Sequence, residues 1–432
     1  METRRRAPGD KSVKSENIQT AQPENKLPAD VLEEAKELCL GAEVLPEGHV
    51  GLARKIMEAR KEGRPLRAKL GIDPTSTDLH LGHAVVFRKL RQFQDFGHQV
   101  VIIIGGFTAQ IGDPSGRNAT RPPLTAEQVA VNAETYLAQM GVLLDLEKVE
   151  LTNNADWLTP LTFKEIIKLA SLVTANQLLA KEGFGERLDK QLPVSFHELF
   201  YPLLQGYDSV AIRADVELGG TDQRFNILQG RELQPSYGLK PQLAMLLPLL
   251  EGTDGVKKMS KSYDNYIALK DSPTDMFGKS MRIPDELIIK YFQLTTTLTG
   301  KEIEEIKQKL ESGGNPKEAK EELACQLVRQ YHGAEAAEHA LAEWQRVHSQ
   351  KQIPEDIPLC ELDSVSASVT HCLTVSGLVP SSSEAKRKIK EGAVKLDGDR
   401  ITDPNYQVEL NSGAGRVLQV GNRRFVRLKL PG

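Results

Sequence analysis

An unbroken apolar run, Val100 to Ile104, lies between segments with helical spacing, and it limits the possible folds more than any other feature. A strand with water on one face alternates polar and apolar residues. A run without alternation belongs to a strand covered on both faces, as in a parallel sheet. Before it, Leu81 to Phe96 brings Val85, Leu90 and Phe93 to one side, and Gly97 is placed to end the helix. Earlier still, Leu66 to Ile72 reads as a second strand. After the run, Thr125 and Gln128 form a capping box for a helix reaching Met140, with Val129, Ala133, Leu137 and Met140 on one face. Strand, helix, strand, helix implies an α/β fold: a doubly wound, Rossmann-like parallel sheet with ligands at the carboxyl ends of its strands.

At 432 residues the chain exceeds one ordinary domain. Residues 1–30 are polar and Pro-containing and read as a disordered tail. Arg4 to Arg6 would suit a transit peptide, but Glu2, Asp10, Glu16 and Glu24 favour a solvated tail. Residues 31–272 carry the α/β pattern. Residues 273–350 turn helical, with a capping box at Thr299 and Glu302 and a helix start at Asn315-Pro316. Residues 351–365 are rich in Pro and acid and read as a linker.

Residues 366–432 form a small α+β unit. Ser381 with Glu384 caps a basic helix carrying Lys386, Arg387, Lys388 and Lys390, and Asp397-Gly398 turns a hairpin. From Glu384 to Gly432 there are 11 Lys+Arg against 6 Asp+Glu, in a chain whose net charge is −4. Charge on a compact unit favours binding to an RNA backbone over a merely solvated face. Cys39, Cys325, Cys360 and Cys372 make no Cys-x-x-Cys pair, which points to a reduced cytoplasmic setting without structural zinc. The apolar runs are too short to cross a bilayer.

Two short motifs carry the chemistry. His80-Leu81-Gly82-His83 stands at a helix start, where free N–H groups attract phosphate and imidazole N–H groups can stabilise charge growing on a triphosphate. Gly82 would let a flat ring approach the backbone. Two histidines one turn apart also suit a surface or a metal, but zinc would need a third ligand and none stands nearby. Lys258-Met259-Ser260-Lys261-Ser262, preceded by Gly252-Thr253-Asp254-Gly255, offers mobile cations to a departing pyrophosphate. A solvated basic turn is the plain alternative. A third feature is Tyr201, Gln205 and Asp208 at i, i+4 and i+7, a polar strip on an otherwise apolar helix that would be costly to bury without a ligand.

The two motifs together resemble the signatures of class I aminoacyl-tRNA synthetases. The segments LGIDPTSTDLHLGH, GGFTAQIGDPSGR, YPLLQGYDSV, LGGTDQRFN and KMSKS are similar to the tyrosyl-tRNA synthetase family, in its bacterial branch with the KMSKS spelling. The resemblance runs from about Pro46 to Leu430. It implies ATP-dependent attachment of tyrosine to tRNA(Tyr) through a tyrosyl-adenylate. ATP would enter with Mg2+ as a substrate, with no permanently bound cofactor and no metal site. By the same resemblance Tyr201, Gln205 and Asp113 surround the substrate ammonium, Asp208 accepts from the phenol, and Gln223 lies near the carboxylate. Asp222 lies near the ribose, Asp73 and Thr75 border the reaction centre, and Arg117 and Arg121 reach the pyrophosphate. His80, Gly82, His83, Lys258, Met259, Ser260, Lys261 and Ser262 hold ATP. The last unit resembles an S4 RNA-binding module, the helical segment would bind the anticodon, and a homodimer is implied.

Lys69, Leu70 and Val86 depart from residues common in the family. A tryptophanyl enzyme shares the sheet and both signatures; Asp208 and the S4-like unit speak against it. An RNA-binding protein with a silent active site would show damaged motifs, and these are intact.

Overall fold

The computed structural model describes residues 27–74, 78–115, 125–348, 357–410, 415–421 and 424–430. Thr75, Arg117, Arg121, residues 1–26 of the tail and residues 351–356 of the linker lie outside the described residues. Two compact units result, one ending at Gly333 and one beginning at Ala334.

The first unit is built on a six-stranded sheet in the order β1-β6-β5-β2-β3-β4. Its strands are β1 Glu43–Leu45, β2 Arg67–Ile72, β3 Gln99–Ile104, β4 Val149–Asn153, β5 Val216–Gly220 and β6 Leu243–Leu247. The apolar run is β3, a central strand buried from Val100 to Ile104, with parallel β2 and β4 beside it. β2 pairs with β3 on one side and β5 on the other, so the winding direction reverses there. That reversal opens a crevice at the carboxyl ends. The sequence reading lacked β1, which pairs antiparallel with β6 at the edge.

The helix Leu81–Asp95 buries Leu81, Ala84, Val85, Phe87, Leu90 and Phe93. The box at Thr125 and Gln128 starts the helix Ala126–Met140. Helices Pro273–Ser280, Ile288–Thr295, Gly300–Glu311 and Pro316–His332 follow, the last packed on the first two. Arg88 joins this helical layer to the Leu81–Asp95 helix, donating to Gln330 Oε1 at 2.7 Å and to the carbonyl of Thr296. The helix Ala334–His348 is grouped with the second unit.

In that unit β7 Leu359–Glu361, β9 Val394–Leu396, β10 Asp399–Ile401, β12 Arg416–Val420 and β13 Arg424–Lys429 form one sheet, ordered β10-β9-β12-β13-β7. β8 Ser366–Ser368 and β11 Gln407–Glu409 form a small second sheet. Asp397 and Gly398 take φ of 49° and 96°, as a tight two-residue hairpin between β9 and β10 requires. Ser381 caps the basic helix Ser382–Lys390 by accepting from the Glu384 N–H at 3.2 Å. The Glu384 carboxylate does not return the cap; it binds Arg387 instead. Arg387 and Lys388 both pair with Glu391, while Lys386, Arg387 and Lys390 are exposed.

Candidate active site

Four of the parallel strands deliver a polar group at the carboxyl end: Asp73 after β2, Thr108 after β3, Asn154 and Trp157 after β4, Asp222 and Gln223 after β5. The helix Tyr201–Ala211 crosses this end, with Tyr201 and Asp208 buried. Asp208 accepts from the Trp157 indole at 2.8 Å on Oδ1 and from Asn154 Nδ2 at 3.2 Å on Oδ2. One N–H per oxygen leaves lone pairs for a further donor. Burial pushes this carboxyl up to about 6, against the pull of Lys69, Trp157 and Asn154.

Asp73 accepts from Tyr201 Oη at 2.9 Å and Thr108 Oγ1 at 2.8 Å, and burial lifts its carboxyl to about 7. A side chain on Gly105 would land on Asp73, so only glycine fits there. Asp113 accepts from the Ser115 N–H and from Gln223 Nε2, both at 2.8 Å. Lys181 donates to Asn226 Oδ1 at 2.9 Å. Burial lowers its pKa to about 8, against the opposing charges of Asp113 and Asp222.

The two signature motifs meet at the other side of the crevice. A Cβ on Gly82 would stand 3.0 Å from the His80 ring and 3.7 Å from Met259 Cβ, so the glycine already serves contacts within the chain. His80 caps the Leu81–Asp95 helix, and its ring lies 3.9 Å from that of His83. The His80 N–H donates to His83 Nδ1 at 3.2 Å. His83 is therefore unprotonated at Nδ1, and its Nε2–H remains a donor. Burial, with help from nearby lysines, drives His80 down to about 2 and His83 to about 4, so both are neutral at pH 7.

Lys258 binds Asp222 at 2.8 Å, and Lys261 lies 3.5 Å from Asp78, which Lys270 also contacts. Asn265 organises the loop: it accepts from the Ser260 N–H at 2.8 Å and donates to Asp254 at 3.1 Å. The Ser260 hydroxyl accepts from the Ser262 N–H, and Met259 is buried. A Cβ on Gly252 would collide with Asn265, which gives that glycine a packing reason besides flexibility.

Sequence reasoning missed Thr108, Asn154, Trp157, Lys181, Asp78 and Asn265. A signal existed for two of these: Asn154 and Trp157 directly follow a strand of a parallel sheet, where ligands bind. Among the described residues no group of three or more His, Cys, Asp or Glu could hold a metal ion.

The chain matches the model of tRNA synthetases class I (W and Y) over residues 61–349, and that of the tyrosine–tRNA ligase SYY-like C-terminal domain over residues 349–424. It is 48% identical over 405 residues to the tyrosine–tRNA ligase of Moorella thermoacetica, covering 93% of this chain and 97% of that protein. It is 49% identical over 378 residues to the tyrosine–tRNA ligase of Bordetella avium, covering 88% and 92% respectively. Among solved structures, a truncated mitochondrial tyrosyl-tRNA synthetase from Aspergillus nidulans is similar with a TM-score of 0.61 at 22% identity, over 73% of this chain and 94% of that one. A tyrosyl-tRNA synthetase from Archaeoglobus fulgidus, complexed with L-tyrosine, gives 0.58 at 22%, over 72% and 100%. At such identity the structures speak for the fold alone.

Proposed function

Because this chain belongs to the class I tyrosine–tRNA ligases, we propose that the crevice described above is their active site in this protein, with the roles that follow. The reaction joins tyrosine to tRNA in two steps, through a tyrosyl-adenylate with release of pyrophosphate. The substrate carboxylate itself attacks the α-phosphorus of ATP, so catalysis consists of positioning and charge stabilisation.

Asp208 accepts from the phenol hydroxyl, and this is the assignment that carries the specificity. Its two oxygens are fixed by Trp157 and Asn154, and phenylalanine would leave the remaining acceptor unpaired in a buried place. Tyr201, Gln205 and Asp113 receive the ammonium, Gln223 lies beside the carboxylate, and Asp73 and Thr75 border the reacting atoms. Asp222 takes the ribose. His80, Gly82 and His83, with Met259, Ser260 and Ser262, line the ATP site; neutral imidazole N–H groups donate to the phosphates. Lys258, Lys261, Arg117 and Arg121 follow the pyrophosphate, and Mg2+ arrives with ATP as part of the substrate.

The basic helix with Lys386, Arg387, Lys388 and Lys390 contacts tRNA within the S4-like segment, 366–432, and residues 273–350 serve the anticodon. Removing residues from Ser364 onward should spare adenylate formation and raise the KM for tRNA; an unchanged KM would end that role. A homodimer is supported by exposed apolar side chains concentrated between Phe163, 79% exposed, and Phe196, 75% exposed, with Ile167, Leu172, Leu188 and Leu192 between them. The molecular mass in solution decides it. A cytoplasmic setting accords with the free cysteines.

ATP–pyrophosphate exchange with tyrosine, tryptophan and phenylalanine in parallel tests the reading. Exchange with tyrosine alone supports it. Exchange with tryptophan would keep the fold and overturn Asp208 as the phenol acceptor.

A further inference from the structure

Under the Tyr201–Ala211 helix lies a charged pair that the roles above leave unused. Lys69, within β2, is completely buried, and its ammonium donates to Glu217 Oε1 at 2.9 Å, Ser209 Oγ at 2.8 Å and the main-chain carbonyl of Gln205 at 3.0 Å. All three N–H bonds are used, so Lys69 has none left for a substrate. Glu217, on β5, is equally buried. Besides Lys69 it accepts from Gln205 Nε2 at 3.1 Å, Ser209 Oγ at 2.8 Å and Gln242 Nε2 at 2.5 Å. Four donors saturate a carboxylate with about four lone-pair sites.

This arrangement dictates which way the Gln205 amide faces. An ionised carboxylate only accepts, so Gln205 must present its NH2 to Glu217 and keep its carbonyl oxygen for something else. Reversed, two oxygens would face each other and an NH2 would meet the substrate ammonium. The constraint holds only while Glu217 is charged. Without a cation beside it a buried carboxyl takes a proton, gains an O–H donor and tolerates either amide orientation.

We propose that Lys69 and Glu217 are positioning residues for the substrate amine: Lys69 supplies the buried counter-charge to Glu217, and Glu217 locks Gln205 with its side-chain carbonyl oxygen toward the ammonium. This inference rests on Gln205 as an amine ligand, as assigned above. It also gives Lys69, which stands where many relatives carry a tyrosine, a role in recognition that requires no contact with the substrate.

The test separates the amine from the rest of the substrate. Dissociation constants for L-tyrosine and for 3-(4-hydroxyphenyl)propanoate, which differ by the ammonium alone, are measured on the full chain and on three variants. In Lys69→Met/Glu217→Gln both charges vanish at similar shape, and amide 217 can accept or donate. The ratio of the two constants should then fall about 10-fold toward unity, with the KM for ATP and kcat at saturating tyrosine within about 3-fold of the parent. Equal weakening of both ligands, or an unchanged ratio, would reduce the pair to a structural role and overturn the proposal. Should the double variant not fold, Lys69→Met, which removes the cation on the oxygen that Gln205 also binds, is measured in its place against the same two outcomes. Gln205→Met is the control. If its ratio holds at the parent value, the amine assignment itself is wrong and the inference falls with it. If its ratio drops while the pair variant keeps its own, only the positioning role fails.

Discussion

The proposed tyrosine pocket and the proposed ATP edge occupy the same end of one sheet, yet they hold their carboxylates by opposite means. In the pocket, Asp208 and Asp73 are fixed by neutral donors: Trp157, Asn154, Thr108 and Tyr201. At the ATP edge, Asp222 and Asp78 are held by Lys258 and Lys261, in pairs that remain partly open to water. Buried hydrogen bonds to neutral groups define a fixed shape, because unmaking any of them strands a polar atom. Part-exposed lysine pairs cost little to exchange, typically under about 1 kcal/mol. On the proposed roles, recognition is built in before the ligand arrives, while the chemistry uses cations that can leave one anion for another.

The sharpest way to break this contrast is at the exchanging side. Lys261→Ala should slow adenylate formation by about 10²–10³-fold, as loss of transition-state charge stabilisation does, with tyrosine affinity unchanged. Rapid-quench measurement of the first turnover checks it; a loss of tyrosine affinity instead would merge the two regions.

Next in size is the fixed side. Asp208→Ala should lower the preference for tyrosine over phenylalanine by about 10²-fold, the worth of a buried hydrogen bond to a charged group, and leave ATP affinity alone. Retained preference in exchange kinetics would show that the pocket does not depend on this carboxylate.

Acidity offers a milder comparison. Asp208 titrates at about 6 because burial raises it, and it must be ionised to accept from Trp157, Asn154 and a phenol together. kcat/KM for tyrosine should therefore fall as pH drops from about 7, where Asp73 takes up its proton, through about 6, with the loss from Asp208 alone reaching about 10-fold one unit lower. The same parameter for ATP at saturating tyrosine should stay flat, since His80 and His83 are neutral well below that range. Stability has the opposite sign. A folded pKa above the unfolded value makes the native chain bind protons more tightly, so Asp208 costs stability as pH rises from about 4 to about 6. An acid limb in the ATP profile would mean that the histidines titrate.

The smallest effect concerns the loop at the exchanging side that Asn265 organises. Asn265→Ala should reduce kcat by about 5-fold, equivalent to one lost hydrogen bond, without moving the KM for tyrosine. Steady-state kinetics checks it, and an unchanged kcat would show that the loop holds its shape without this side chain.

Local periodicity made much of the molecule legible. The strands β2 and β3, the helix between them, the caps at Thr125, Thr299 and Ser381 and the Asp397-Gly398 hairpin follow from spacings within a few residues. The polar face of the Tyr201–Ala211 helix was readable for the same reason: a period of 3.6 brings Tyr201, Gln205 and Asp208 together. Asn154 and Trp157 carried only the faint signal of following a strand and Thr108 none, since polar residues after a strand look like any loop until the sheet order aligns their ends. Lys69 read only as a departure. Its meaning lies in Glu217, on a strand far along the chain that becomes its neighbour by parallel pairing.

The sequence by itself determined the alternation of strand and helix, the places where phosphate could be gripped and the residue types of the pocket, because turn chemistry, capping and hydrophobic period act over short distances. Only the tertiary structure decided which groups are charged and which way they face. Those properties depend on burial and on partners a few ångströms away in space. Lys69 beside Glu217, Trp157 beside Asp208 and Lys258 beside Asp222 become neighbours only when the sheet closes.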